Sequence, residues 1–221
     1  MTEMKDEYDI KLSQKDAVIA DLKKELRVYR NENDALGTYN RRENLKIVGV
    51  KYEVGENTNE IVKDICKLAG REIKDEDIST SHRNGSTNST PVTNIPDQTN
   101  RALRNPDIIV RFVRRDVKIG VFEGRKNIVT NPECPTKYKD VSLYEDVTPL
   151  RSRIMYQLRQ RDEKKAYKYV WSRGGRIFCR TPEEAATTPV PKPHVINKPE
   201  DLLELGFDQS EVEAIILNKR D

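Results

Sequence analysis

A chain of 221 residues with 35% hydrophobic and 35% charged side chains is too polar for one large core, and it suits one or two small cores among solvated segments. It starts without an apolar signal segment and has no long apolar run, so a soluble, intracellular protein with no membrane partner is expected. Cys66, Cys134 and Cys179 lack CxxC spacing and only His82 and His194 accompany them, which argues against a zinc site or a disulfide framework and leaves no expected cofactor.

The net charge of +3 is unevenly spread: residues 1–36 carry −2, residues 101–126 carry +5, residues 150–180 carry +8 and residues 181–221 carry −5. Basic charge concentrated between acidic ends is the electrostatic footprint of a polyanion ligand. Solvated lysines on ordinary surfaces are the plainer reading. The dominance of arginine beside strand and turn signals weighs against it.

Residues 1–39 carry a heptad pattern. One seam reads Leu12, Ile19, Leu26, Asn33, and the other reads Tyr8, Lys15, Leu22, Tyr29, Leu36, with Gly37 as the expected end. So narrow an apolar stripe needs partner helices, so a coiled coil is expected, with dimer and trimer both open. The alternative is an amphipathic helix packed on its own domain. After a basic joint at Asn40–Glu43, Leu45–Val50 reads as a buried strand and Asn57–Leu68 as a helix closed by Gly70. Ile78–His82 reads as an edge strand, and residues 83–104, rich in Ser, Thr, Asn and Pro, as a long flexible loop.

Asn105–Arg115 (NPDIIVRFVRR) opens on a turn signal, runs through β-branched residues and leaves through arginines. It is expected to be a central strand. Asp116–Asn127 follows as a helix capped by Asp116, and Val141–Tyr144 as the last strand. The order is β-α-β-β-α-β, the ferredoxin-like arrangement also used by RNA-recognition motifs. Thr148-Pro149 starts a helix that runs to about Lys165. Tyr167–Trp171 and Arg176–Arg180 form a hairpin about Ser172–Gly175. A Pro/Thr-rich linker spans 181–193, Val195-Ile196 adds a short strand and Pro199–Leu205 a short helix, and Ser210 and Glu213 are read as the capping box of a final helix. The expected fold class is thus α+β, with a coiled-coil helix over 1–39, the ferredoxin-like domain over 40–147 and a small α+β domain over 148–221.

On the sheet, the positions that carry base-stacking aromatics in RNA-binding domains of this topology fall on Lys46, Asp107 and Ile109. No stacking platform is therefore expected there. Val110 and Phe112 point to the core, and Lys46, Ile109 and Arg111 point outward. Arginine forks suit phosphate oxygens, so the candidate nucleic-acid contacts are the basic residues beside these elements. They are Arg41, Arg42, Lys46, Arg83, Arg101, Arg104, Arg111, Arg114, Arg115, Lys118, Arg125 and Lys126, followed by Arg151, Arg153, Arg159, Arg161, Arg173, Arg176 and Arg180 in the C-terminal part. Tyr167, Tyr169 and Trp171 are either stacking residues or the core of the hairpin. Self-association is assigned to Leu12, Ile19, Leu22, Leu26, Tyr29, Asn33 and Leu36. No P-loop, GxSxG or HExxH motif is present, and the Glu145-Asp146 pair reads as a helix-approach turn, so an enzyme is not expected.

The segments RRENLKIVGV (41–50), His82-Arg83, NPDIIVRF (105–112), EDVTPLR (145–151) and WSRGGRIFCR (171–180) together resemble the first-open-reading-frame protein of LINE-type non-LTR retrotransposons. The likeness is to the invertebrate versions met as transposase-like or baculoviral-FP-like domains. The resemblance implies a coiled-coil homotrimer, an atypical RNA-recognition-motif domain, RNA packaging into a cytoplasmic ribonucleoprotein with the nucleus as a second location, and nucleic-acid chaperone activity. By position it puts Arg83, Arg111 and the C-terminal basic cluster on RNA. The chain departs from it at Asp107, where a basic residue is usual, and at Asn31, where the trimer motif has an apolar one. The expected function is self-associating, sequence-tolerant binding of single-stranded RNA, with single-stranded DNA left open. The alternative is a coiled-coil adaptor for other proteins.

Overall fold

The computed structural model describes residues 2–85, 105–160 and 167–217. It is mixed α+β, with a long N-terminal helix, a four-stranded antiparallel sheet, a second small sheet and a C-terminal helix. The chain forms two compact units, one of Asn40–Val147 with Ser172–Gly175, the other of Met1–Tyr39, Thr148–Trp171 and Arg176–Asp221.

In the first unit, β1 (Asn44–Val48) leads to α2 (Thr58–Leu68), α1 being the N-terminal helix. Asn57 caps α2 by accepting from the Asn59 N–H at 3.0 Å. Gly70, at φ +81°, turns the chain away, and Arg71 N–H returns to the Cys66 carbonyl at 2.9 Å. Then come β2 (Ile78–Asn84), β3 (Asp107–Phe112), α3 (Arg115–Glu123), the single turn α4 (Asn127–Thr130) and β4 (Ser142–Glu145). The strand order is β2-β3-β1-β4, all neighbours antiparallel. So β3 is internal, as its apolar run requires, and β2 and β4 are the edges. Leu45, Ile47, Ile108, Val110 and Phe112 line the sheet's core side, and Val62, Ile65 and Val121 from the helices pack with them.

Three local expectations need correction here. Asp116 does not cap α3; Arg114 is the cap residue, in extended backbone and without a side-chain cap bond, and Asp116 sits in the first turn. Arg83 and Asn84 belong to β2, so the loop begins later than residue 83; its residues 86–104 lie outside the described residues. Ile109 faces away from the core cluster as expected, yet only 9% of it is exposed.

In the second unit, α1 (Thr2–Asn40) runs straight through Gly37 for about 58 Å. After α5 (Pro149–Gln160), β5 (Tyr169–Arg173) and β6 (Arg176–Arg180) form the hairpin; Gly174 and Gly175 both have positive φ, which the primed two-residue turn demands. β7 (His194–Ile196) pairs antiparallel with β6. The stretch read as linker holds α6 (Pro182–Ala186), with a Thr181/Glu184 capping box. A 3₁₀ turn over Pro199–Leu205 precedes α7 (Gln209–Leu217). The box of α7 is Asp208 with Glu211, at 2.8 and 2.7 Å, rather than Ser210 with Glu213. The core joins Leu150, Ile154 and Leu158 of α5 to Ile177, Ile196, Leu202 and Ile215. Among the described residues, no helix is long and apolar enough to cross a membrane.

Candidate functional site

The four-stranded sheet has one face packed on α2 and α3, and strand parity sorts the basic residues between that face and the other. On the packed side, Arg83 opposes Ile108. Its guanidinium makes five hydrogen bonds: two to Glu56 (2.6 and 2.8 Å) and one each to the carbonyls of Val50 (2.7 Å), Pro106 (2.8 Å) and Lys51 (3.1 Å). That uses every donor an arginine has. The two side chains are 6% and 8% exposed. Hydrogen bonding to Arg83 holds the Glu56 carboxyl below its ordinary range. Lys118, on α3, is likewise buried, 2.6 Å from Glu145. Burial pushes Glu145 up, but the ammonium of Lys118 together with the Gly174 and Gly175 N–H groups more than reverses this, and the carboxyl ends below its usual value.

The second unit has its own buried pair. Thr148 starts α5, accepting from Arg151 N–H at 3.3 Å while its hydroxyl donates to Asp34 of α1. Arg151 Nε donates to Asp34 Oδ2 (2.9 Å) and Thr38 Oγ1 (2.8 Å), and Nη2 to the Asn197 carbonyl (3.0 Å). Arg83, Lys118 and Arg151 are therefore corrected from candidate phosphate contacts to structural ion pairs: each would leave a buried carboxylate behind if it turned outward.

The remaining candidates divide more finely. Arg41 lies 3.5 Å from Asp146, and Arg42 pairs with Glu43. Lys46 pairs with Asp107 at 2.8 Å, which explains the acidic residue in this basic strand. Arg125 lies over the Phe122 ring at 4.2 Å, Arg153 donates to the Ile215 carbonyl, Arg159 to the Val170 carbonyl and Arg180 to the Pro191 carbonyl. Burial and the nearby Arg30 push Arg153 down from its ordinary value. Arg111, Arg114, Arg115, Lys126, Arg173 and Arg176 are exposed. Of these, Arg114 reaches Asp77 at 3.3 Å. Arg111 and Arg115 have no ion-pair partner among the described residues. Arg101, Arg104 and Arg161 lie outside the described residues.

Residues 148–205 match the family model for Baculovirus FP protein domain 2. No curated protein matches the chain. The family match overturns the retrotransposon kinship and the vocabulary that came with it, because it points to a baculovirus FP family instead. The physical reason lies in the segments that carried the likeness into this region. The Thr148-Pro149 helix start and the Gly174-Gly175 turn are demanded by backbone geometry. Such residues report a local fold and carry no information about the element that encodes it.

The aromatic residues also separate. Tyr167 is core, Tyr169 is exposed, and Trp171 stacks on Phe178 with ring centres 5.7 Å apart. Sequence reasoning missed Tyr144, which stands 53% exposed on β4, directly opposite Lys46. The strand's alternation of exposed and buried residues carried the signal, with Leu143 and Glu145 inward and Tyr144 outward.

On α1, Leu12, Ile19, Leu22, Leu26, Tyr29 and Leu36 are 41–66% exposed, and Asn33 is exposed with them. The helix meets the rest of its unit through a neighbouring, largely polar stripe, with Leu26 of the seam at its border beside Ile216 and Leu217. Arg27 bonds Glu213 (2.8 Å), Arg30 the Ile216 carbonyl (2.6 Å) and Asn31 Glu200 (3.1 Å), followed by Asp34 and Thr38 on Arg151. Arg27, Arg30 and Asp34 each stand one residue past the seam positions Leu26, Tyr29 and Asn33, about 100° around the helix.

Proposed function

We propose that this protein self-associates and binds single-stranded nucleic acid through the phosphate backbone, with little sequence choice and without enzymatic activity. One contrast between basic residues carries the reading. Arg111 on β3 and Arg114 and Arg115 at the start of α3 stand exposed, while neighbouring basic residues are consumed by buried carboxylates. Single-stranded RNA is the favoured ligand, with DNA strands of the same form as the comparison. Chaperone activity, ribonucleoprotein packaging and the trimer rested on the overturned kinship and lose that support.

Backbone contacts imply steep salt dependence, with a slope of log affinity against log salt of roughly −0.7 per phosphate neutralised on a single strand. Filter binding across a salt series tests this. Changing Arg111, Arg114 and Arg115 together to Ala should flatten the slope by roughly 2. An intact protein whose binding is flat from low to physiological salt overturns the reading.

The apolar stripe of α1, exposed while a neighbouring, largely polar stripe joins the helix to its unit, supports self-association through the apolar one. Leu22→Lys with Leu26→Lys should yield a monomer by sedimentation with unchanged secondary structure. A wild-type monomer at micromolar concentration removes this part of the proposal.

A further inference from the structure

The register of the four-stranded sheet lines up four residues in one row across the face turned from the core. His82 of β2 opposes Ile109 of β3, Ile109 opposes Lys46 of β1, and Lys46 opposes Tyr144 of β4. With neighbouring strands about 4.8 Å apart, the row spans about 14 Å. Its middle is an apolar floor, Ile109, covered to all but 9% by its surroundings. Its outer end is a phenol ring on an edge strand, more than half exposed. Among the described residues that ring has no ring or cation partner, and its hydroxyl has no hydrogen bond. In the next row, Arg111 lies between Thr80 and Asn44. The Lys46 ammonium is drawn the opposite way, to Asp107.

We infer that Tyr144 is a stacking site for one unpaired nucleobase, with exposed Arg111, one row on and two strands across, as the cation for a phosphate further along the same strand. The inference rests on the proposed binding of single strands and says which part of the strand this face takes. An exposed ring on a sheet face that also carries the solvated Arg111 suits a planar group tied to an anion. A nucleotide in a single strand is both, and every base offers such a face, so stacking here adds affinity without choosing a sequence. Duplexes bury both faces of each base, and polyanions without bases have none to offer. The site therefore separates single strands from other polyanions, which the arginines alone do not. It also differs from the usual arrangement, in which aromatics on the first and third strands do the stacking; here those positions hold Lys46, Asp107 and Ile109, and the ring has moved to the fourth strand.

The test is fluorescence anisotropy of the full chain against labelled oligouridylate and an abasic strand of equal length, with Tyr144→Ala and Tyr144→Trp. The expected result is that Tyr144→Ala loses affinity for the base-bearing strand on the order of tenfold. Affinity for the abasic strand and the melting temperature should stay put, and Tyr144→Trp should retain binding. If the wild type binds the base-bearing strand and Tyr144→Ala leaves that unchanged, or weakens both strands equally, the stacking site is overturned and the backbone reading stands. If the wild type binds neither strand, both fall.

Discussion

The two faces of the four-stranded sheet treat the same kind of side chain in opposite ways. On the packed side, Arg83 and Lys118 are enclosed with Glu56 and Glu145, and their charge holds the domain together. On the other side, Lys46 is half-exposed beside Asp107, and Arg111 stands in solvent. A buried pair is bound to its place because each partner would be costly alone. A solvated arginine adds almost nothing to stability and is available to an anion. Basic density along a sequence is therefore a poor guide to a binding surface, and the carboxylate that has claimed each cation decides.

The largest effect that would break this comparison is on stability. Glu56→Ala strands Arg83 and Glu145→Ala strands Lys118, and each should cost about 3–5 kcal/mol in urea denaturation. A cost below about 1 kcal/mol would mean that the packed side is no different from the other. Next is pH. Glu56 and Glu145 both have folded values below the ordinary 4.5. A carboxyl lowered by folding contributes stability that is fully present above its unfolded value and is lost as pH falls through the folded value. Melting temperature should therefore be level near neutrality and drop below about pH 4.5, with a shallower drop in Glu56→Ala. The smallest effect is at the solvated arginines, where replacing Arg111, Arg114 and Arg115 with Ala should shift unfolding by no more than about 0.5 kcal/mol per site while weakening nucleic-acid binding.

Why the two faces are not equally legible is visible in the strands themselves. β3 reads Asp-Ile-Ile-Val-Arg-Phe, and its apolar residues announce which parity is inward, so Arg111 is readable as outward. β2 reads Ile-Ser-Thr-Ser-His-Arg-Asn, with one apolar residue and a register shift between Ile78 and Thr80. Nothing in it says which way Arg83 faces. Tyr144 escapes sequence reading for a related reason. Stacking aromatics are expected on the first and third strands of this topology, whereas one on the fourth becomes significant only once the register sets it beside Lys46. The Thr181-x-x-Glu184 box is readable but hidden by the proline and threonine content around it.

What the sequence alone determined is local. The order of the main strands and helices, the Thr148 cap, the glycine turn of the hairpin and the apolar stripe of α1 all follow from interactions between residues close along the chain. What only the tertiary structure decided is which cations are spoken for. Arg83 and Glu56 are 27 residues apart, as are Lys118 and Glu145, and Arg151 and Asp34 are 117 apart. No periodicity links such partners. Folding brings them together, and the low-dielectric surroundings that folding creates turn an ordinary charge pair into a fixed one.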